Sequence, residues 1–127
     1  MKKILIVDDQ PNIRKLIRFA LQDRFSLKEA GDADAAYELL IAERPSGIVL
    51  DVNMPGAMNG FQLCQRIRRE TPLAGIHIVL VTANTQVADQ ELGRALGADA
   101  YFIKPFSPLA LARHLIGVLL AAEDRAA

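Results

Sequence analysis

The sequence is poor in several features that mark other classes of protein. Cys64 is the only cysteine among 127 residues, which rules out an internal disulfide and favours a reducing compartment. No apolar run approaches the roughly 18 residues that a membrane-spanning helix needs. The apolar segment that follows Met1 is too short for a signal peptide. These absences favour a cytoplasmic protein that does not enter the membrane.

The chain also lacks an excess of either charge. Its 15 Lys and Arg residues balance its 15 Asp and Glu residues, so the formal net charge is zero. Bulk electrostatic attraction to nucleic acid or to a membrane surface is therefore not expected. Repeats, low-complexity tracts and linkers are absent as well, and 127 residues suit one domain with its own core. We expect a single domain over residues 1–127.

What is present is a regular alternation of short apolar runs and amphipathic segments. The apolar runs predict five strands, at residues 4–7, 25–30, 46–50, 76–81 and 100–103. Helices are predicted between and after them; the first buries Ile13, Leu16, Ile17, Ala20 and Leu21. The fourth, at residues 85–96, is weakened by Gly93, and the last extends from a Ser107 cap to about Asp124. This alternation predicts a doubly wound α/β fold with a parallel sheet and five helices.

Polar side chains follow four of the predicted strands at the point where each strand ends. They are Asp8 and Asp9, Asp51, Thr82 and Lys104. Because the carboxyl ends of parallel strands meet at one edge of a sheet, these side chains are expected to lie together. Three adjacent carboxylates repel one another and need a cation, and their hard oxygens favour Mg²⁺. A phosphoryl group fits between such an ion and the lysine, where Asp51 would attack phosphorus to give an acyl phosphate.

The same residues resemble those of the response regulator receiver domains of two-component signalling. The motifs that carry the resemblance are Asp8-Asp9, Asp51 with Met54-Pro55, Thr82-Ala83 and Lys104-Pro105. The resemblance covers nearly the whole chain and implies the flavodoxin-like fold, with strand order 2-1-3-4-5. It implies a signalling domain rather than an enzyme. Such a domain accepts a phosphoryl group from a histidine kinase or a phosphotransfer protein, assists its own phosphorylation and dephosphorylation, and switches its partner-binding surface.

The resemblance assigns a role to each residue of the site. Asp51 resembles the phosphoacceptor, and Thr82 and Lys104 resemble the residues that contact the phosphoryl group. The implied Mg²⁺ ligands are Asp8, Asp9, Asp51 and the backbone carbonyl of Asn53. Thr82 and Tyr101 resemble the pair that changes conformation on phosphorylation; the less favoured alternative is that Tyr101 is a strand-end aromatic with its hydroxyl in water. The peptide bond between Lys104 and Pro105 resembles the family's cis bond.

One segment departs from the family pattern. The loop at residues 54–60 is one residue longer than usual, which leaves the metal ligands intact but changes the loop before the third helix. Asn53 and Asn84 occupy the two positions that tune dephosphorylation in the family. Because both are neutral amides, their charge does not predict the lifetime of the phosphoryl group.

Two surfaces are candidates for partner binding. The first helix carries a basic side, Arg14, Lys15 and Arg18, with Phe19 next to it. The resemblance implies that a kinase docks there, and the alternative is an ordinary solvated face. On the last helix, an apolar stripe of Leu111, His114 and Val118 would serve a dimer or a partner, unless these are scattered surface residues. His77 and His114 are interpreted as structural or solvated.

Other function classes explain part of the pattern. A metal-dependent phosphohydrolase would also use Asp51 as a nucleophile, but Asn53 stands where a second acid is typical. A flavin or nucleotide module needs a glycine-rich or hydroxyl-rich loop after the first strand, where this chain has an acidic segment. A receiver that is never phosphorylated is disfavoured because every expected site position is filled. We expect a stand-alone receiver without an output domain in these residues, either complete or part of a longer protein.

Overall fold

The sheet was examined in a computed structural model, which describes residues 1–121. Five parallel strands form one sheet in the order β2-β1-β3-β4-β5. The strands are β1 Lys3–Val7, β2 Ser26–Ala30, β3 Gly47–Asp51, β4 His77–Thr82 and β5 Ala100–Ile103. Both the fold class and the strand order are as predicted, and each strand end lies within one residue of its predicted position.

Five helices connect and follow the strands. They are α1 Pro11–Leu21, α2 Ala33–Glu43, α3 Gly60–Arg69, α4 Val87–Ala95 and α5 Pro108–Leu119. The Asp32 carboxylate caps α2 by accepting from the Ala35 N–H, and the Ser107 hydroxyl caps α5 in the same way. The predicted continuation of α5 to about Asp124 lies outside the described residues. Among the described residues, no helix is both long and apolar enough to cross a membrane.

The three central strands, β1, β3 and β4, are buried on both faces, as strands of a parallel sheet flanked by helices should be. One face packs against α2 and α3, and its core residues include Leu5, Leu50, Leu63, Cys64 and Ile67. The other face packs against α1 and α5, with Ile4, Ile6, Ile17, Val79 and Leu115 among its core residues. Cys64 is fully buried, and this burial raises the pKa of its thiol to about 11.

The predicted buried faces of two helices are partly wrong. Leu16 was expected in the core, but it is 42% exposed, because α1 turns Ile17 and Leu21 toward the sheet instead. In α5, Leu111 was expected on a partly exposed stripe but is fully buried, whereas Leu109, which would then face the sheet, is 59% exposed. Most positions of α5 are apolar, so the spacing of apolar residues does not single out one face.

Helix α4 is shorter than predicted and begins at Val87 without a side-chain cap. Its Gly93 is buried against β4 and β5. A Cβ atom there would lie 2.9 Å from Leu80 Cδ1 and 3.3 Å from Tyr101 Cδ2. The glycine that weakens the helix by propensity therefore lets α4 pack closely on the sheet beside Tyr101.

Candidate functional site

The carboxyl edge of the sheet brings three carboxylates together. Asp8 follows β1 directly and Asp51 is the last residue of β3; they are only 1% and 3% exposed, whereas Asp9 is exposed. One carboxylate oxygen from each residue lies within 4.8 Å of the others. Such a cluster of hard oxygens can bind a metal ion.

Backbone hydrogen bonds fix the two buried carboxylates. The Gln10 N–H donates to Asp8 Oδ1 at 2.9 Å, and the Asn53 N–H donates to Asp51 Oδ1 at 3.2 Å. Each aspartate thus bonds to the backbone two residues further along, as in an Asx turn. The second oxygen of each carboxylate, Oδ2, is directed toward Lys104.

Lys104 supplies the positive charge that faces the carboxylates. Its Nζ lies 3.0 Å from Asp8 Oδ2 and 3.5 Å from Asp51 Oδ2. Burial, assisted by the charge of Asp8 and opposed by that of Lys104, raises the pKa of Asp51 from 3.8 to about 6. One ammonium beside three carboxylates leaves an excess of negative charge, which a divalent cation would neutralise.

Thr82 ends β4 and is fully buried beside this cluster. Its Oγ1 accepts hydrogen bonds from the Asn84 N–H at 3.1 Å and from Asn53 Nδ2 at 3.2 Å. The Asn53 amide also donates to Asn84 Oδ1 at 3.1 Å. The side chain of Asn53 therefore bridges the loops that follow β3 and β4. Sequence reasoning placed both asparagines near the site but did not foresee this bridge.

Tyr101 lies on β5 on the side of the sheet covered by α4. Its hydroxyl is buried and makes no hydrogen bond of normal geometry to the described residues, although the Thr82 hydroxyl is near enough to oppose part of the rise in its pKa. The alternative interpretation, with the hydroxyl in water, is wrong, and burial raises the pKa of Tyr101. A buried, unpaired hydroxyl is unusual in a folded protein and marks Tyr101 as a side chain with an unused hydrogen-bonding group close to Gly93.

The long loop after β3 is anchored at both ends. The Gly60 N–H donates to the Val52 carbonyl at 2.9 Å, and a Cβ atom at Gly60 would collide with the Asp51 backbone. Asn59 and Gln62 form a capping box that begins α3. Between these anchors the loop and the start of α2 line a cleft of about 270 Å³, and this is where a residue in excess of the family pattern would lie.

Part of the predicted basic surface of α1 is engaged in contacts within the protein. Arg14 donates to the Asp8 carbonyl at 2.6 Å and lies 3.3 Å from Glu29, and Arg18 pairs with the same glutamate at 2.5 Å. Lys15 and Phe19 remain exposed, with Lys15 Nζ 5.9 Å from the ring centre. Two of the three predicted basic residues therefore bind to β2, next to α1.

The predicted apolar stripe of α5 is wrong at Leu111, which is fully buried. Val118 is 49% exposed. His114 is half-buried, and its Nε2 lies 2.9 Å from His77 Nε2. The stripe is therefore not a continuous surface, because Leu111 lies in the core and His114 contacts His77 of β4.

Comparison with known proteins agrees with this fold. Residues 4–116 match the family model of the response regulator receiver domain. The chain therefore belongs to the response regulator receiver domain family. Receiver domains are signalling domains that partner with histidine kinases.

Two relatives and two solved structures illustrate the similarity. The probable transcriptional regulator ycf27 of Cyanophora paradoxa is 38% identical over 124 residues, covering 97% of this chain and 50% of the relative. The DNA-binding response regulator MtrA of Mycolicibacterium smegmatis is 35% identical over 127 residues, covering 99% of this chain and 54% of the relative. This chain thus spans about half the length of these relatives.

Among solved structures, the chemotaxis protein CheY4 of Vibrio cholerae superposes with a TM-score of 0.86 at 33% identity. The match covers 94% of this chain and 99% of that one. The response regulator DrrB of Thermotoga maritima gives a TM-score of 0.86 at 29% identity, over 96% of this chain and 54% of that one.

Proposed function

We propose that Asp51 accepts a phosphoryl group from a histidine kinase or a histidine phosphotransfer protein. The observation that carries the proposal is the convergence of Asp8, Asp9 and Asp51 with Lys104 and Thr82 at one edge of the sheet. Buried carboxylates and an ammonium in contact are suited to phosphoryl transfer, which depends on positioning and charge neutralisation. Membership of the receiver family supports the same role.

In this proposal Mg²⁺ is held by the three clustered carboxylates and the backbone carbonyl of Asn53. The donor set fits, because all the side-chain ligands are hard oxygens and a divalent charge offsets the excess of carboxylates. When bound, the ion neutralises the negative charge shared by the carboxylates and the phosphoryl oxygens.

The transfer step uses the carboxylate of Asp51 as the nucleophile. One of its oxygens attacks phosphorus and forms a P–O bond, while the P–N bond of the donor phosphohistidine breaks and its electron pair remains on the imidazole nitrogen. A pKa near 6 leaves this carboxylate mostly ionised at neutral pH. Lys104, already 3.5 Å from Asp51, stabilises the negative charge of the transferred group.

Thr82 and Tyr101 are proposed to report the phosphorylated state. The Thr82 oxygen accepts from two N–H groups, and its hydroxyl proton would be donated to a phosphoryl oxygen. The buried Tyr101 hydroxyl makes no hydrogen bond of normal geometry to the described residues, and α4 beside it has no side-chain cap. A phosphoryl charge of about −1.5 to −2 would shift these side chains and alter the surface at α4 and β5.

The exposed part of α1, Lys15 and Phe19 with the flanking Arg14 and Arg18, is the proposed docking side for the phosphodonor. Dimerisation through α5 would use the exposed Val118 and Leu109 and not Leu111. The receiver role is proposed for residues 1–127.

The test is the intact mass of the protein after incubation with acetyl phosphate, with Mg²⁺ or with EDTA. Wild type is expected to gain one phosphoryl group with Mg²⁺ and none with EDTA. Asp51→Asn should gain none under either condition. Asp34→Asn, which changes an exposed carboxylate in α2, is the matched control and should be modified like wild type.

A folded wild-type protein that gains no mass from acetyl phosphate or from phosphorylated histidine kinases would overturn the proposal. Equal labelling of wild type and Asp51→Asn would place the acceptor elsewhere. Circular dichroism of each variant checks that the fold is retained.

A further inference from the structure

The amino edge of the sheet, opposite the site, carries a second polar cluster. Four side chains from different parts of the fold form a line that we call the amino-edge relay: Arg68 of α3, Asp99 before β5, His77 of β4 and His114 of α5. Arg68 Nη2 lies 2.6 Å from Asp99 Oδ2, and the same oxygen lies 3.5 Å from His77 Nδ1. His77 Nε2 then lies 2.9 Å from His114 Nε2. The relay therefore links helices on opposite faces of the sheet.

The two imidazoles face each other head-on. Their ring centres are 5.1 Å apart, and the ring planes are tilted by 37°. The two Nε2 atoms are 2.9 Å apart. The distance between the ring centres is therefore longer than the distance between the nitrogens by about one ring width. The two Nε2 atoms therefore point nearly straight at each other, as donor and acceptor of one hydrogen bond do. If both rings bound a metal ion, the lone pairs of the two Nε2 atoms would instead converge on a point to one side of the line that joins the nitrogens.

One proton fits between two nitrogens in this arrangement. Two N–H groups would clash, and two lone pairs would repel each other. The Asp99 carboxylate next to His77 Nδ1 favours a proton on that nitrogen, which leaves His77 Nε2 as the acceptor. His114 Nε2 is then the donor.

We propose that the proton shared by His77 and His114 is a latch that holds α5 against β4 and opens on acidification. The latch is independent of the proposed phosphorylation, since its residues lie at the edge of the sheet opposite Asp51. A proton added to His77 Nε2 removes the acceptor of this bond, and the two rings then face each other with N–H groups.

The surroundings of His77 determine the direction of the effect. The groups that face it are Asp99, His114 and Arg68; the ring edge of Phe102 covers His114. Burial lowers the pKa of His77, the Asp99 charge opposes this shift, and the charges of His114 and Arg68 add to it. A lowered pKa in the folded state means that the unfolded chain binds more protons. Stability is therefore complete above the ordinary histidine value of about 6.5 and is lost as the pH falls below it.

The direct test is the ¹⁵N and ¹H NMR titration of both imidazoles in the full chain between pH 8 and pH 4.5. At pH 8, His77 is expected as the Nδ1–H tautomer and His114 as the Nε2–H tautomer. His77 should bind its proton at least about tenfold more weakly than an exposed histidine. Identical tautomers in the two rings, or two independent titrations at the ordinary value, would overturn the proposal.

Two variants separate the shared proton from simple packing. His114→Gln keeps an N–H donor within reach of His77 but cannot be protonated, so the His77 tautomer should be retained. His114→Ala removes the donor, and His77 should then bind its proton several-fold more tightly. If both variants leave the titration of His77 unchanged, no proton is shared. The titration of each variant is measured on folded protein, and the amide NMR spectrum shows that the variant is folded.

Hydrogen exchange tests the release of α5. After correction for intrinsic rates, protection of α5 amides relative to α1 amides should fall about tenfold between pH 7 and pH 5 in wild type. The His114→Gln variant should show less than half of this change on a logarithmic scale. A ratio that is constant with pH in wild type would contradict the latch.

Discussion

The two edges of the sheet carry clusters of charged and polar side chains that differ in how far their charges are balanced. At the carboxyl edge, three carboxylates face one ammonium, so the residues of the protein leave negative charge uncompensated. At the amino edge, Arg68 and Asp99 are paired and the two histidines bond to each other. The difference teaches that a cluster of polar residues alone does not mark a ligand site. An edge whose charges are not balanced internally is the one that calls for an ion and a charged substrate.

The largest expected effect comes from removing the positive charge at the carboxyl edge. Lys104→Ala should slow phosphorylation by acetyl phosphate by about 100-fold or more, because this ammonium is the cation closest to Asp51 among the described residues. A time course of intact mass measures the rate. Lys28→Ala, on the edge strand β2 with an exposed side chain, should react at the wild-type rate.

At the amino edge the same kind of substitution should affect stability and leave the chemistry unchanged. Arg68 donates to the carbonyls of Gly97, Ala74 and Ile76 and to Asp99. Arg68→Ala removes the donor from the three carbonyls and leaves Asp99 Oδ2 with the Ile78 N–H, and it should lower the free energy of unfolding by about 3 kcal/mol, measured by urea denaturation. Arg69→Ala, on the exposed side of the same helix, is the control and should change it by less than about 0.5 kcal/mol. A loss of phosphorylation in folded Arg68→Ala would show that the edges are not independent.

Removing a carboxylate from the crowded edge should stabilise the metal-free protein. The pKa of Asp51 is raised in the folded state from 3.8 to about 6, so the native protein binds more protons than the unfolded chain. Protonation of Asp51 therefore contributes to the free energy of unfolding. That contribution is fully present below pH 3.8 and is lost as the pH rises through about 6. In EDTA at pH 8, Asp51→Asn should therefore be about 2 kcal/mol more stable than wild type. Equal stability of the two proteins from pH 5 to pH 8 would contradict the crowding argument.

Substitutions at two glycines, Gly93 and Gly117, test how closely α4 must pack against the sheet. Gly93→Ala introduces a Cβ atom 2.9 Å from Leu80 Cδ1 and should cost about 1 kcal/mol, although alanine is the better helix former. Gly117→Ala in α5 meets nothing within 4 Å and should stabilise the protein by about 0.5–1 kcal/mol. Urea denaturation of both variants gives the comparison. A stabilised Gly93→Ala would show that α4 does not need glycine at this contact.

The sequence predicts the carboxyl edge well because buried parallel strands are continuous apolar runs. Asp8, Asp51 and Thr82 stand where such runs end, so their meeting at one edge follows from the topology. The amino edge is harder to foresee. His77 and His114 are 37 residues apart along the chain, and neither belongs to a motif. Only the packing of α5 on the sheet brings their nitrogens together.

The helix surfaces were predicted less well for a related reason. In α5 nearly every position is apolar, so the choice between Leu109 and Leu111 depends on how the helix rests on the sheet. In α1, Arg14 and Arg18 are known from the sequence to be basic. Their ion pairs with Glu29 depend on the packing of α1 beside β2. Spacing along one helix contains no information about the charges that face it.

The anchoring of the loop after β3 has a consequence for how such domains diversify. Val52 and Gly60 are joined by a hydrogen bond, and the Asp51 backbone leaves no room for a larger residue at position 60. The segment between them can therefore gain or lose a residue while the Asp51 carboxylate and the start of α3 keep their places. Insertions at this point would remodel the neighbouring surface and leave the carboxylate cluster intact, so that the shape of this surface can vary independently of the site.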